Sequence, residues 1–186
     1  MKRSRHLKDT YEHRTRKEYL EGVKSRLVND VGTYFATIDT EASKRNYIGF
    51  WGSARLIFPV IEAVADTIYR KDGKERLLKE LNIEYPEIVW QMYRNSLAHT
   101  DRLIHIKKGN KTIIWSVTAS AGGVMIGHIF KGNTVHIDTR RLYEDFLVFL
   151  DKEIAISTTS IYDKNGLAVG RKYQGELSSE IDRFPS

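Results

Sequence analysis

The apolar residues of this chain of 186 residues change their spacing twice. Up to about residue 99 they recur at steps of three and four. Between about 104 and 137 they alternate with polar neighbours, and from Leu142 the helical step returns. One face of a helix repeats every 3.6 residues and one face of a strand every second residue, so such a chain builds helices, then a small sheet, then a last helix. The expected class is mainly α, with four to five helices and a small antiparallel β-meander inserted before the last of them.

The first helical pattern runs from Tyr11 to about Ile38 through Leu20, Val23, Leu27, Val31, Tyr34 and Ile38. Thr40–Lys44 is polar and reads as a turn. A second, broader stripe covers Tyr47–Tyr69 through Phe50, Trp51, Ala54, Ile57, Phe58, Ile61, Val64, Ala65 and Ile68, which predicts a central, heavily buried helix. Pro59 removes one backbone hydrogen bond within it and predicts a kink near Arg55–Leu56. Glu75–Leu81 forms a short helix, and Pro86, whose fixed φ suits the first helical position, opens a fourth that reaches about Ala98. Asp138 or Thr139 caps the last helix, which extends to about Ile156.

Within 102–138 the strand candidates are Ile104/Ile106, Ile113/Trp115/Val117, Val124/Ile126 and Val135/Ile137. Gly109-Asn110 and Gly132-Asn133 suit the positive φ of tight hairpin turns. Neither has the strand-to-helix setting or the Lys-Ser/Thr of a phosphate loop. The chain therefore reads as one helical domain over 1–160, with the meander at about 102–138 as an insertion and 161–186 as a loosely ordered tail.

At this length a domain buries about 70% of its unfolded surface, so no staple is required to hold a core. With no cysteine, thiolate zinc sites, iron–sulfur clusters and disulfide frameworks are excluded. The most apolar window, Leu56–Ala65, is interrupted by Pro59 and Glu62. It falls well short of the roughly 20 apolar residues a bilayer span requires, so a membrane partner is not expected and a cytoplasmic location is. The formal charge of +6 is concentrated at one end: residues 1–17 carry seven basic and two acidic groups, and the rest of the chain is nearly neutral. Bulk charge is therefore not evidence of a nucleic-acid surface, although a basic arm adds salt-sensitive affinity for phosphates.

Five of the six histidines read as ordinary polar positions: His6 and His13 in the basic arm, and His105, His128 and His136 in strands. His99 differs, because Arg94-Asn95-Ser96-Leu97-Ala98-His99 places a guanidinium, a carboxamide and an imidazole within six residues near a helix end. Asn95 and His99 lie one turn apart on one face, whereas Arg94 is rotated by about 140° from His99. In the second helix Glu62 and Asp66 are one turn apart on a buried-looking surface and need partners. Arg55, about two turns before Glu62, is the expected ion-pair partner, and a second role for Glu62 is to hold Arg94.

The Arg94, Asn95, His99 string resembles the R-[N/D/H]-x-x-x-H signature of the HEPN superfamily, helical-bundle proteins that include many metal-independent ribonucleases. The placement is similar as well, on a late helix after two long ones. The resemblance covers 11–99 and 139–156. It implies an up-and-down helical bundle and an endoribonuclease with Arg94, Asn95 and His99 as catalytic residues. It further implies RNA as substrate, a homodimer that joins two motifs, and no metal or cofactor. A toxin or defence role with an antitoxin partner belongs to the same implication, although the Thr100-Asp101 that follows departs from the x-Tyr of one toxin subgroup. Many members of the family are non-catalytic, so the alternative is a dimerisation or binding module with a protein or nucleotide partner.

Overall fold

A computed structural model of the protein describes residues 15–42, 50–69, 72–93, 106–108, 110–120 and 125–157. The helices among them are α1 (Arg16–Leu27), continued through a π-helical turn at Val28–Gly32 into α2 (Thr33–Ala42), then α3 (Phe50–Ile68), α4 (Gly73–Glu80), α5 (Pro86–Met92) and α6 (Thr139–Ile156). Strands β1 (Ile106–Lys108), β2 (Lys111–Thr118), β3 (Ile129–Lys131) and β4 (Thr134–Asp138) lie between α5 and α6. No described helix is long and apolar enough to cross a membrane.

The first helical stretch starts later than its apolar pattern suggested and ends later. Thr15 accepts from the N–H of Glu18 while the Glu18 carboxylate accepts from the N–H of Thr15, a reciprocal cap that fixes the start of α1. At the other end, Thr40-Glu41-Ala42, read as a turn, belongs to α2. The buried stripe is Leu20, Val23, Leu27, Val31, Phe35 and Ile38, so Phe35 takes the place expected for Tyr34. Each step of four overshoots a 3.6-residue turn by about 40°. The wider π-helical turn at Val28–Gly32 absorbs that drift and keeps the stripe on one side.

Helix α6 runs antiparallel to this stretch. Arg16, at the start of α1, is ion-paired with Glu153 near the end of α6. At the opposite end, Phe35 meets the Tyr143 ring at 5.4 Å and Asp39 accepts from Arg140 at 2.7 Å. Helix α3 packs against both, and Ala54, Ile57, Phe58, Ile61, Val64 and Ala65 are all fully buried. It continues through Pro59, whose ring is at the surface. Helix α4 ends on Asn82 at φ +61, with Ile83 N–H donating to Leu78 C=O at 3.0 Å and Asn82 N–H to Lys79 C=O at 3.1 Å. These bonds close the free carbonyls of the helix end and turn the chain into α5.

The sheet is not the antiparallel meander expected. Its order is β1-β2-β4-β3, and β2 pairs with β4 in parallel, Trp115 opposite Val135 and Val117 opposite Ile137. The Gly132-Asn133 hairpin does form where it was predicted, with Gly132 at φ +62, and β1 pairs antiparallel with β2 as expected, although Gly109 of the other Gly-Asn pair lies outside the described residues. The third strand is Ile129–Lys131, whereas Ile126, assigned to it by alternation, is 60% exposed and outside any strand. Burial explains the order. Strand β4 carries Val135 and Ile137 into the core and takes the interior slot, while β3 buries no residue fully and is left at the edge. The Ile104 and Val124 positions, the basic arm before Thr15 and the tail over 161–186 lie outside the described residues.

Candidate functional site

Arg94, Asn95 and His99 lie outside the described residues; what is described is the chain that leads to them. Pro86 occupies the first turn of α5, and the helix buries Val89, Trp90 and Met92. Tyr93 follows, 7% exposed, with its ring stacked on Phe58 of α3 at 4.5 Å and 13° and tilted against Trp90 at 5.3 Å. The residue that precedes Arg94 in sequence is thus fixed to the central helix by an aromatic stack.

Glu62 of α3 is half-buried at the margin of the core, and its partner is Lys74 of α4 and not Arg55. The expectation from spacing put both on one helical face. However, Arg55 is about 10 Å from Glu62 along the axis and exposed, whereas α4 packs directly beside α3 and brings Lys74 in from the side. Lys74 also lies over the Trp90 ring, 5.0 Å from its centroid. Burial, with the negative charge of Glu62 adding to it, pushes the Tyr93 phenol up to about 12. Asp66, one turn on, is exposed; partial desolvation raises its carboxyl, Lys74 opposes this and Glu62 adds to it.

A second cluster, which the sequence pattern did not single out, gathers around Asp138. This residue ends β4, caps α6 and has no exposed surface. Its Oδ1 accepts from the N–H groups of Arg140 and Arg141 at 3.0 and 3.3 Å. Its Oδ2 accepts from Ser120 Oγ at 2.5 Å and from the N–H groups of Ile126 and Gly127 at 3.1 and 3.0 Å. Burial alone would raise this carboxyl. The donors from Ser120, Gly127 and Arg141 outweigh it and hold the group below the usual carboxylate range.

His128 and His136 flank this hub. His128 Nδ1 accepts from the backbone N–H of Asp138 at 3.2 Å, and His136 Nδ1 is 2.6 Å from Ser116 Oγ on β2. Both Nε2 atoms are buried without a hydrogen-bond partner. Neither ring is the exposed strand side chain expected: His128 precedes β3, and both are partly buried, the His136 ring held against its β2 neighbour Ser116. Burial lowers both imidazoles, and Asp138 acts against it. No alternation or helical spacing betrays this cluster, because apart from the cap its hydrogen bonds join residues 10 to 20 apart in the chain; only the capping role of Asp138 was readable.

Beside the hub an open cleft of about 490 Å³ lies between the 125–130 segment, the start of α6 and the turn after α4. There Arg141 Nε and Asn82 Nδ2 both donate to Asp145, at 3.0 and 3.2 Å. Among the described residues no group of three His, Asp or Glu side chains is placed to hold a metal ion. Comparison of the chain with protein-family models, with curated proteins and with solved structures gives no match.

Proposed function

We propose that the protein is a HEPN-like, metal-independent endoribonuclease that acts as a homodimer, built on an up-and-down bundle of four to five helices. The reading is carried by the Arg94, Asn95, His99 string, which follows directly on Tyr93, the residue stacked on the central helix. The antiparallel course of α1–α2 against α6, with α3 packed on both, supports the bundle.

In this mechanism His99 takes the proton of a ribose 2′-hydroxyl, and O2′ attacks the adjacent phosphorus. The bond to the 5′-oxygen breaks and that oxygen is protonated, leaving a 2′,3′-cyclic phosphate and a 5′-hydroxyl. An imidazole titrating near neutrality supplies about 10²–10⁴-fold in such a transfer. Arg94 is permanently charged and forks toward phosphate oxygens, where negative charge grows in the transition state. Asn95 orients the imidazole or a phosphate oxygen. Glu62 and Arg55 are supporting residues on α3, Glu62 through the charge it sets beside Tyr93. A second copy brings the two motifs together and removes the 140° separation within one helix.

The test is incubation with structured and unstructured RNA in EDTA. Cleavage that persists in EDTA, leaves cyclic phosphate ends, and disappears in both Arg94→Ala and His99→Ala is the expected result. Toxicity on expression that His99→Ala relieves would place the protein among toxin or defence effectors controlled by an antitoxin. If no RNA is cut, the chain is a binding module.

A further inference from the structure

The backbone N–H of Asp138 points its hydrogen at Nδ1 of His128, so the neutral ring must carry its proton on Nε2. That Nε2–H is buried and unpartnered, a costly arrangement that an apolar side chain would avoid. What the ring contributes in return is one of four bonds that hold the segment Met125–His128 across the start of α6. The others run from Ile126 N–H to Ser120 Oγ at 2.9 Å and from the Ile126 and Gly127 N–H groups to Asp138. Gly127 stands at φ +80, so the segment turns sharply at the point where it is tied. Ile126, Gly127 and His128 all line the open cleft, and Met125 and Ile126 present 44% and 60% of their surface to solvent.

We propose that His128 is a proton-operated latch: a second proton on the ring must go to Nδ1, where it meets the Asp138 N–H head-on, breaks that bond and frees the Met125–His128 wall of the cleft. The charged and titratable groups around the ring are Asp138 and His136 from β4 and Arg141 and Asp145 from α6, with Glu84 across the cleft. The two aspartates favour the added proton, whereas Arg141 and His136 oppose it. Asp138 already accepts from the Ser120 hydroxyl and five backbone N–H groups and cannot receive a new N–H without giving up a bond, while Asp145 is engaged by Arg141 and Asn82. Asp138, held below the usual carboxylate range, stays ionised through the range in which a histidine titrates. The three remaining ties, two of them to that carboxylate, therefore persist and the segment loosens without unfolding the domain.

Amide hydrogen exchange of the full chain tests this. As pH falls from about 7.5 to about 4.5, through and below the ordinary histidine range because burial lowers this ring, the protection of Ile126 and Gly127, corrected for intrinsic rates, is expected to fall about tenfold. Protection in the middle of α3 is expected to stay constant. His128→Asn offers Oδ1 to the same N–H and cannot titrate, so it should abolish the fall; His136→Asn should leave it in place. Unchanged wild-type protection, a fall that survives His128→Asn, or one lost in His136→Asn would overturn the latch. A readout without substitution is the ¹⁵N spectrum of the ring. A neutral form protonated on Nε2, titrating together with the Ile126 and Gly127 protection, is expected; a Nδ1–H tautomer would overturn the proposal.

Discussion

The hydroxyl of Tyr34 occupies the space beside Gly52: a Cβ at residue 52 would stand 2.1 Å from its oxygen and 2.7 Å from Cζ. Helices α2 and α3 approach this closely because α3 carries no side chain at the point of contact. Gly52→Ala must therefore expel the phenol, and despite the gain in helix propensity it is expected to destabilise the protein by about 1–3 kcal/mol in urea unfolding. Combined with Tyr34→Leu, which withdraws the ring, the alanine should cost far less than it does alone; additive losses would show that the two residues do not share the space.

Asp138→Asn tests the hub directly. The carboxylate receives only donors, so an amide nitrogen placed there faces N–H groups with nothing to accept, and the charge that offsets burial is gone. A loss of about 2–4 kcal/mol is expected from denaturant unfolding at neutral pH. Ser120→Ala, which removes one donor and leaves the carboxylate charged, should cost about 1–2 kcal/mol.

The two buried imidazoles make stability depend on pH with a defined sign. Burial lowers His128 and His136 from the ordinary 6.5, so the unfolded chain binds protons that the folded one refuses. Stability is then complete above about pH 6.5 and declines as pH falls below it, by at most about 1.4 kcal/mol per pH unit for each ring. Asp138, lowered from 3.8, adds a separate loss only below that value. Urea midpoints measured from pH 8 to pH 5 should fall in the wild type and flatten in His128→Asn/His136→Asn.

Lys74 and Glu62 are 28% and 40% exposed, which screens their attraction. Lys74→Met keeps the alkyl contact with Trp90 and should change stability by only about 0–1 kcal/mol. If Glu62 also serves the chemistry, Glu62→Gln will lower the rate of RNA cleavage with little change in unfolding free energy; equal activity of the two forms would remove Glu62 from the site.

The helices were legible because local rules decide them. Pro86 at the start of α5, Asp138 at the start of α6, and the apolar steps of α1 and α3 each act within a few residues. The start of α1 was also written locally, in Thr15-Arg16-Lys17-Glu18, although the apolar pattern drew the boundary back to Tyr11. Strand order was not legible, because alternation specifies a face and says nothing about a neighbour; Val135 and Ile137 won the interior slot by burying more than Ile129 and Phe130. The same holds for side-chain partners. Glu62 found Lys74 twelve residues away on another helix, and His136 found Ser116 through a parallel pairing that no hairpin rule anticipates. Of the expected site, the described residues give the approach along Phe58, Trp90 and Tyr93.

Asp138 is at once the last residue of β4 and the cap of α6, and through Arg140 the same junction reaches Asp39 of α2 and the carbonyl of Ser120. The sheet is therefore not an ornament that could be cut out at its borders. Excising 102–138 would remove the group that starts the final helix, and a graft of the sheet onto another bundle would leave a buried carboxylate without its donors. Sheet and last helix can be gained, lost or transplanted only together.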